Sequence, residues 1–242
     1  MHRHANQQPR RTRSAAALRL TVAVAAALSL PACGRDQAER APADAPLALR
    51  APTLAEALSD LPHDRPFVVS LETDIGSLRC ELDPTRTPHA VALFVGLATG
   101  RATFLDPTTR QPLRRPMYRD LPFQRAVPGM LIQSGDPVGD SSGNPGYRIA
   151  VEASADDVDR LTQPGALVLA RYTSPPGRID PQPPPKGLVL GSQFAVLLSA
   201  MPHLAGQLSV IGRCNDLQVA QRIADDIGNE HVNHRLLRVA IP

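Results

Sequence analysis

The chain of 242 residues contains no tryptophan, and aromatic residues make up only 3% of it. Its core must therefore be built mainly from Leu, Val, Ile and Ala. A membrane-spanning run is missing too. The uncharged stretch from Leu20 to Ala32 falls short of the roughly 20 residues that a helix needs to cross hydrocarbon. No glycine-rich phosphate loop follows a strand, and Ser192 lacks the flanking glycines of a nucleophile elbow. His231 and His234 stand without a third ligand in an evident motif, which argues against a metal site. A charge excess is also lacking. There are 26 Lys and Arg against 23 Asp and Glu, and five of the arginines (Arg3, Arg10, Arg11, Arg13, Arg19) precede Cys33. The remainder is slightly acidic, so nothing in its charge points to nucleic acid as a partner.

What is present begins with the N-terminus. A basic start without acidic residues, a short apolar run and the ending Leu30-Pro31-Ala32-Cys33 describe an export signal. The ending resembles the lipobox of bacterial lipoproteins, which implies cleavage before Cys33, acylation of its thiol and a lipid anchor on the periplasmic side of a bacterial membrane. Gly34 after it favours the outer membrane. Residues 34–64 are rich in Ala, Pro and charge and read as a tether, with a short helix from Leu54 to Leu58 that nothing requires to pack. Residues 65–242 are the size of one domain. With Cys33 acylated, Cys80 and Cys214 remain. They form a disulfide or stay as two buried thiols acting as small hydrophobes. Spacing does not decide this, and buried thiols are the expectation.

Within the domain, Phe67 to Thr73 reads as a strand and Asp74-Ile75-Gly76 as a turn. Ser77 to Leu82 alternates, with Leu78, Cys80 and Leu82 on one face. A helix follows, with Thr87 as N-cap, Pro88 at its first position, an apolar stripe of Ala90, Leu93, Phe94 and Leu97, and Gly100 as its end. A second helix starts at Asn215, carries Asp216 in its first turn, faces Val219, Ala220, Ile223 and Ile227 to the core and stops at Gly228. Further strands are expected at 130–134, 166–170, 193–198, 208–211 and 236–241. Residues 103–118 and the proline-rich 174–187 read as loops, the second as exposed polyproline II. Many short strands with two helices indicate a mostly β fold, a closed antiparallel barrel with helical caps.

The segment Phe123-Gln124-Arg125-Ala126-Val127-Pro128-Gly129-Met130-Leu131-Ile132-Gln133 places an arginine eight residues before a glutamine. No nucleophile lies between them, so the pattern suits a site that binds and polarises. This block resembles the cyclophilins, the cyclosporin-class peptidyl-prolyl cis-trans isomerases. Gly76 to Leu82, Thr87 to Val91, Gly143 to Tyr147, Gly191 to Phe194, Pro202 to Gly206 and Val210 to Gly212 follow in the family's order. The resemblance implies an eight-stranded barrel capped by two helices, no cofactor, and proline-containing peptides or unfolded exported proteins as partners of a monomeric enzyme. It also implies that Arg125 hydrogen-bonds the prolyl nitrogen and that Gln133 holds the substrate carbonyl. Phe123, Met130, Leu131, Ala195, His203 and Leu204 would line the proline pocket and its rim, with Gln193 and Ala170 along the groove. The alternative for Arg125 is a surface ion pair.

Departures accompany the resemblance. Met130 and Ala195 stand where the family usually has phenylalanines, Arg171 where it has an asparagine, and Leu208 where it has a histidine. Losing aromatic walls changes contact and shape. Two functions follow as expectations: an isomerase that assists folding of exported proteins, or a peptide-binding or chaperone module with little turnover. Gly139-Asp140-Ser141-Ser142-Gly143 approaches a trypsin-like serine motif, but no histidine context for a triad accompanies it.

Overall fold

A computed structural model describes residues 47, 49–61, 67–154, 157–171 and 188–242. The signal and lipobox with Cys33, most of the expected tether and the 174–187 proline segment lie outside the described residues. So does the side chain of Arg171.

The first hairpin forms as its alternation dictates. Strands β1 (Phe67–Thr73) and β2 (Gly76–Leu82) pair in unbroken antiparallel register from Phe67↔Leu82 to Thr73↔Gly76. Helix α1 (Leu54–Leu58) precedes it and α2 (Pro88–Thr99) follows it. The chain continues through β3 (Phe104–Leu105), β4 (Pro112–Leu113), β5 (Arg119–Pro122), β6 (Arg125–Val127), β7 (Leu131–Ser134) and β8 (Arg148–Ala150). A short α3 (Val158–Leu161) leads to β9 (Ala166–Arg171), β10 (Leu188–Leu197), β11 (Ser209–Cys214), α4 (Gln218–Glu230) and β12 (Arg235–Ala240).

The fold is mostly β and antiparallel, as expected, but the strand count and closure differ. Ten strands share one sheet along the path β5-β12-β1-β2-β11-β9-β10-β7-β6, with β8 attached to β10. The path's two ends do not pair with each other among the described residues. They are consecutive in the chain, so β5 and β6 meet end to end through Phe123-Gln124. The Ser134 hydroxyl bridges the seam by donating to the Pro122 carbonyl at 2.9 Å. Residues 103–118 are likewise not a plain loop, because β3 and β4 form a small separate hairpin within them.

Two helix boundaries are corrected. Helix α4 begins at Gln218 rather than Asn215. Asp216 has a left-handed φ of 50° and its carboxylate accepts from the Gln218 N–H. The helix does not stop at Gly228 but runs to Glu230, and His231 takes the left-handed cap at φ 57°. In α2, Thr87 occupies the N-cap position without a side-chain cap. Its hydroxyl turns to the carbonyls of Asp83 and Val210 instead. The free N–H groups of His89 and Ala90 are met by Glu152 from the end of β8, at 3.1 and 2.7 Å.

The expected apolar stripe of α2 is too narrow. Every residue from Ala90 to Ala98 is buried, because the helix is covered on both sides. The sheet covers one side. On the other lies the segment assigned to the tether, with Pro52 packing at Gly96 and Ala57 fully buried. Thr53 and Glu56 close a capping box at α1. Part of the segment expected to be a tether thus packs on the domain, through Pro52 and Ala57. The scarce aromatics are concentrated in this core, where Phe94, Tyr118 and Phe194 lie 5.2 to 5.5 Å apart.

Cys80 and Cys214 form a disulfide, against the expectation of two thiols. They are directly opposite in the β2–β11 ladder. Asn215 N–H donates to the Arg79 carbonyl, so the two cysteines occupy a non-hydrogen-bonded pair, where side chains come closest.

His234 is 5% exposed and sits between two carboxylates, with Nδ1 2.9 Å from Asp74 of the β1–β2 turn and Nε2 2.9 Å from Asp226 of α4. Burial of the ring opposes its charge, but the hydrogen bonds to Asp74 and Asp226 outweigh it and raise its pKa above the usual 6.5. Burial likewise opposes the charge of Asp74, yet His234 and the Arg235 N–H hold it below its usual value. A raised histidine stabilises the fold fully below its unfolded pKa and loses that contribution as pH rises through the folded value. A depressed carboxylate contributes above its unfolded pKa and loses that contribution as pH falls. The clamp is therefore strongest between about pH 4 and 6.5. The denaturation midpoint is expected to fall from pH 6 to pH 9, and to fall much less in His234→Gln. Equal slopes in the two proteins would remove the clamp as the cause.

Candidate active site

The eight-residue spacing of Arg125 and Gln133 has a simple structural origin. Strands β6 and β7 form a hairpin closed at Val127↔Leu131, in which Arg125 pairs directly with Gln133. The turn is Pro128-Gly129-Met130, with Gly129 at φ 68°, a conformation that favours glycine. Met130 N–H donates to the Val127 carbonyl at 2.9 Å.

Behind Gln133 lies a chain of amides. Gln133 Nε2 donates to Gln193 Oε1 at 2.9 Å, and Gln193 Nε2 donates to the carbonyls of Gly143 and Ser141 at 2.8 and 3.2 Å. Gln193 is almost wholly buried and Gln133 nearly so. With its amide group engaged this way, Gln133 is held in one orientation beside the groove. Arg125 differs, being exposed and without a carboxylate partner among the described residues. The surface ion pair considered for it is not formed there.

A groove of about 260 Å³ is lined by the polar residues Arg125, Gln133, Gln193 and Ser141, by the methyl group of Ala170, and on its apolar side by Leu131, Val168, Ala195, Leu197, Leu204 and Leu208. The apolar residues belong to a hydrophobic cluster separate from the main core. Strand periodicity makes that division. Leu167 and Leu169 of β9, and Phe194 and Val196 of β10, point to the main core, while Val168, Ala195 and Leu197 point to the other face.

Seven of the expected site residues therefore converge: Arg125, Gln133, Leu131, Ala170, Gln193, Ala195 and Leu204. Three do not line the groove. Phe123 is buried in the main core. Met130 is 47% exposed, because it belongs to the turn rather than to the strand expected from residue 130. His203 is exposed on the 3-10 turn Pro202–Leu204. Val168, Leu197 and Ser141 were missed. Val168 is two residues from Ala170 and Leu197 two from Ala195, so alternation along each strand could have found both. Ser141 comes from an irregular loop with a left-handed φ of 71° and carried no such signal.

A larger cavity of about 370 Å³ lies elsewhere, between Pro52, Ile149 and Glu152. Its Glu152 carboxylate is already engaged by the backbone N–H groups of His89 and Ala90 and lies 2.6 Å from Nδ1 of the His89 ring, which also lines the cavity. Among the described residues no group of three or more His, Cys, Asp or Glu could hold a metal ion.

The groove thus holds an arginine and a glutamine over an aliphatic floor, with no nucleophile engaged by a base. The family model described as cyclophilin type peptidyl-prolyl cis-trans isomerase/CLD matches residues 68–239. The chain belongs to the cyclophilin family. It is 30% identical over 166 residues to peptidyl-prolyl cis-trans isomerase B of Streptomyces anulatus, covering 69% of this chain and 86% of that one. It is 30% identical over 158 residues to peptidyl-prolyl cis-trans isomerase A of Mycobacterium tuberculosis, covering 65% and 78%. The fold is shared with a cyclophilin type isomerase of Cryptosporidium parvum, solved in the presence of the dipeptide Ala-Pro. The TM-score is 0.54 at 22% identity, over 72% of this chain and 98% of that one. This cyclophilin is thus a peptidyl-prolyl cis-trans isomerase, and its antiparallel sheet with few helices is the family's fold.

Proposed function

We propose that this cyclophilin isomerises prolyl bonds of exported proteins, with Arg125 as the catalytic group. The observation that carries the reading is the register Arg125↔Gln133 across the hairpin, beside an aliphatic pocket. Resonance in the prolyl amide sets a rotation barrier of about 18–20 kcal/mol. A guanidinium N–H donated to the prolyl nitrogen withdraws its lone pair from that resonance. The nitrogen accepts well only when the bond is twisted, so the contact stabilises the transition state more than either planar isomer. Gln133, steadied by Gln193, holds the carbonyl side, and Leu131, Ala195 and Leu204 take the ring. No covalent bond forms or breaks. The chain works tethered through acylated Cys33 on the periplasmic side of a membrane, as a monomer; the lipobox-like Leu30-Pro31-Ala32-Cys33 supports this. The Ala-Pro dipeptide used with the Cryptosporidium neighbour supports proline-containing peptides as ligands.

One observation favours a second reading. No aromatic residue lines the pocket, and Ala195 and Leu208 offer no ring to pack against. A groove of that kind could bind peptides with little turnover. Prolyl exchange in short Xaa-Pro peptides, followed by NMR with the chain lacking residues 1–33, separates the two. Accelerated exchange is expected. A folded protein that leaves the rate unchanged would establish the binding module instead.

A further inference from the structure

Helix α4 passes behind the hairpin that carries Arg125 and meets it at a glycine. A Cβ placed on Gly228 would lie 2.5 Å from both Cγ and Cδ of Pro128. The pyrrolidine ring thus occupies the notch left by the missing side chain. Gly228 is not at a positive φ, so its backbone conformation does not call for glycine. It stands inside a helix, where glycine is disfavoured, and close approach is the reason the structure offers for it.

Of the two elements in contact, the helix is the fixed one. Val219 packs on the β1–β2 turn, where a Cβ at Gly76 would come within 2.8 Å of its Cγ2. Ala220, Ile223 and Ala224 are fully buried, and Asp226 bonds to His234. The hairpin is the compliant element. Strand β6 has three residues and ends the sheet's path, with β7 as its neighbour. Pro128, Gly129 and Met130 are exposed. Gln133 is held by its amide partners, but the Arg125 guanidinium has no such support among the described residues. The backbone of β6 alone therefore sets its position, and the far end of β6 rests on α4 through Pro128.

We infer that Gly228 is a positioning residue that places Arg125 over the groove by seating Pro128 against α4. This rests on the reading of Arg125 as the catalytic group. A methyl at 228 displaces the turn and, with it, β6. The pocket walls on β9 and β10 stay in place, so peptide binding is retained while the hydrogen bond to the prolyl nitrogen is misaligned.

The test compares the full chain with Gly228→Ala, Pro128→Ala, the double variant and Arg125→Ala in one prolyl-exchange assay. Gly228→Ala should lower kcat about tenfold, with KM changed by less than about twofold. Removing the ring makes room for the methyl, so the double variant should recover to within about threefold of wild type, the signature of direct coupling. Wild-type kcat in a folded Gly228→Ala protein, or a loss that the double variant does not recover, overturns the inference. If Arg125→Ala keeps full activity, the reading of Arg125 falls and takes this inference with it. If Arg125→Ala is inactive while Gly228→Ala is unimpaired, only the inference falls. Should Gly228→Ala not fold, Pro128→Ala carries the test. It leaves the notch empty and should lower kcat at constant KM, and an unchanged kcat would overturn the inference.

Discussion

Replacing Cys80 and Cys214 together by alanine should lower the folding free energy by about 4 kcal/mol, a typical effect for a disulfide that closes a long loop. The two residues are 134 apart in sequence, so the bond removes much of the freedom of the unfolded chain. The loop it closes runs from β2 to the end of β11 and contains the whole groove. Both positions are buried in the main core, and alanine leaves no unpaired polar group there. For a domain of this size the thermal midpoint should drop by about 10 °C. Reductant should bring the wild type to the same midpoint and leave the double variant unmoved. Identical midpoints for wild type and variant without reductant, together with two titratable thiols in the unfolded wild type, would show that the bond does not form.

Arg125→Ala should leave stability within about 0.5 kcal/mol of wild type, as for most surface substitutions. The guanidinium is exposed and has no ion pair to lose among the described residues. Activity should respond very differently. Removing a hydrogen-bond donor aimed at the reacting atom costs on the order of 10²-fold in kcat. KM should move little, because the aliphatic pocket proposed to take the ring lies on β7, β9, β10 and the Leu204 turn and is untouched. NMR exchange rates measured across peptide concentrations separate the two constants. A loss confined to KM would make Arg125 a binding residue, and an unchanged rate would end its catalytic assignment. The contrast with the disulfide is diagnostic. One change should cost stability and spare the chemistry of the folded fraction, and the other should do the reverse.

Local information reaches some of this protein directly. The period-two pattern of Ser77 to Leu82 determined the first hairpin, because side chains on a strand must alternate. Pro88 and Gly100 bounded α2 through the backbone angles they accept. The eight-residue interval between Arg125 and Gln133, centred on Pro128-Gly129, is a hairpin interval, so their pairing was already implicit. Tertiary structure decided the rest, and in each case the missing information was what lies beside a segment. Residues 50–61 have the composition of a tether, yet Pro52 and Ala57 are buried because α2 offers them an apolar face. Cys80 and Cys214 became a disulfide because β2 and β11, far apart in the chain, are neighbours in the sheet. Met130 left the pocket because register put it in the turn, one residue before β7 begins. Gly228 reads as a helix stop from its residue type alone. The ring of Pro128 against it shows a helix interior that needed space, a requirement that only the packed neighbour can reveal.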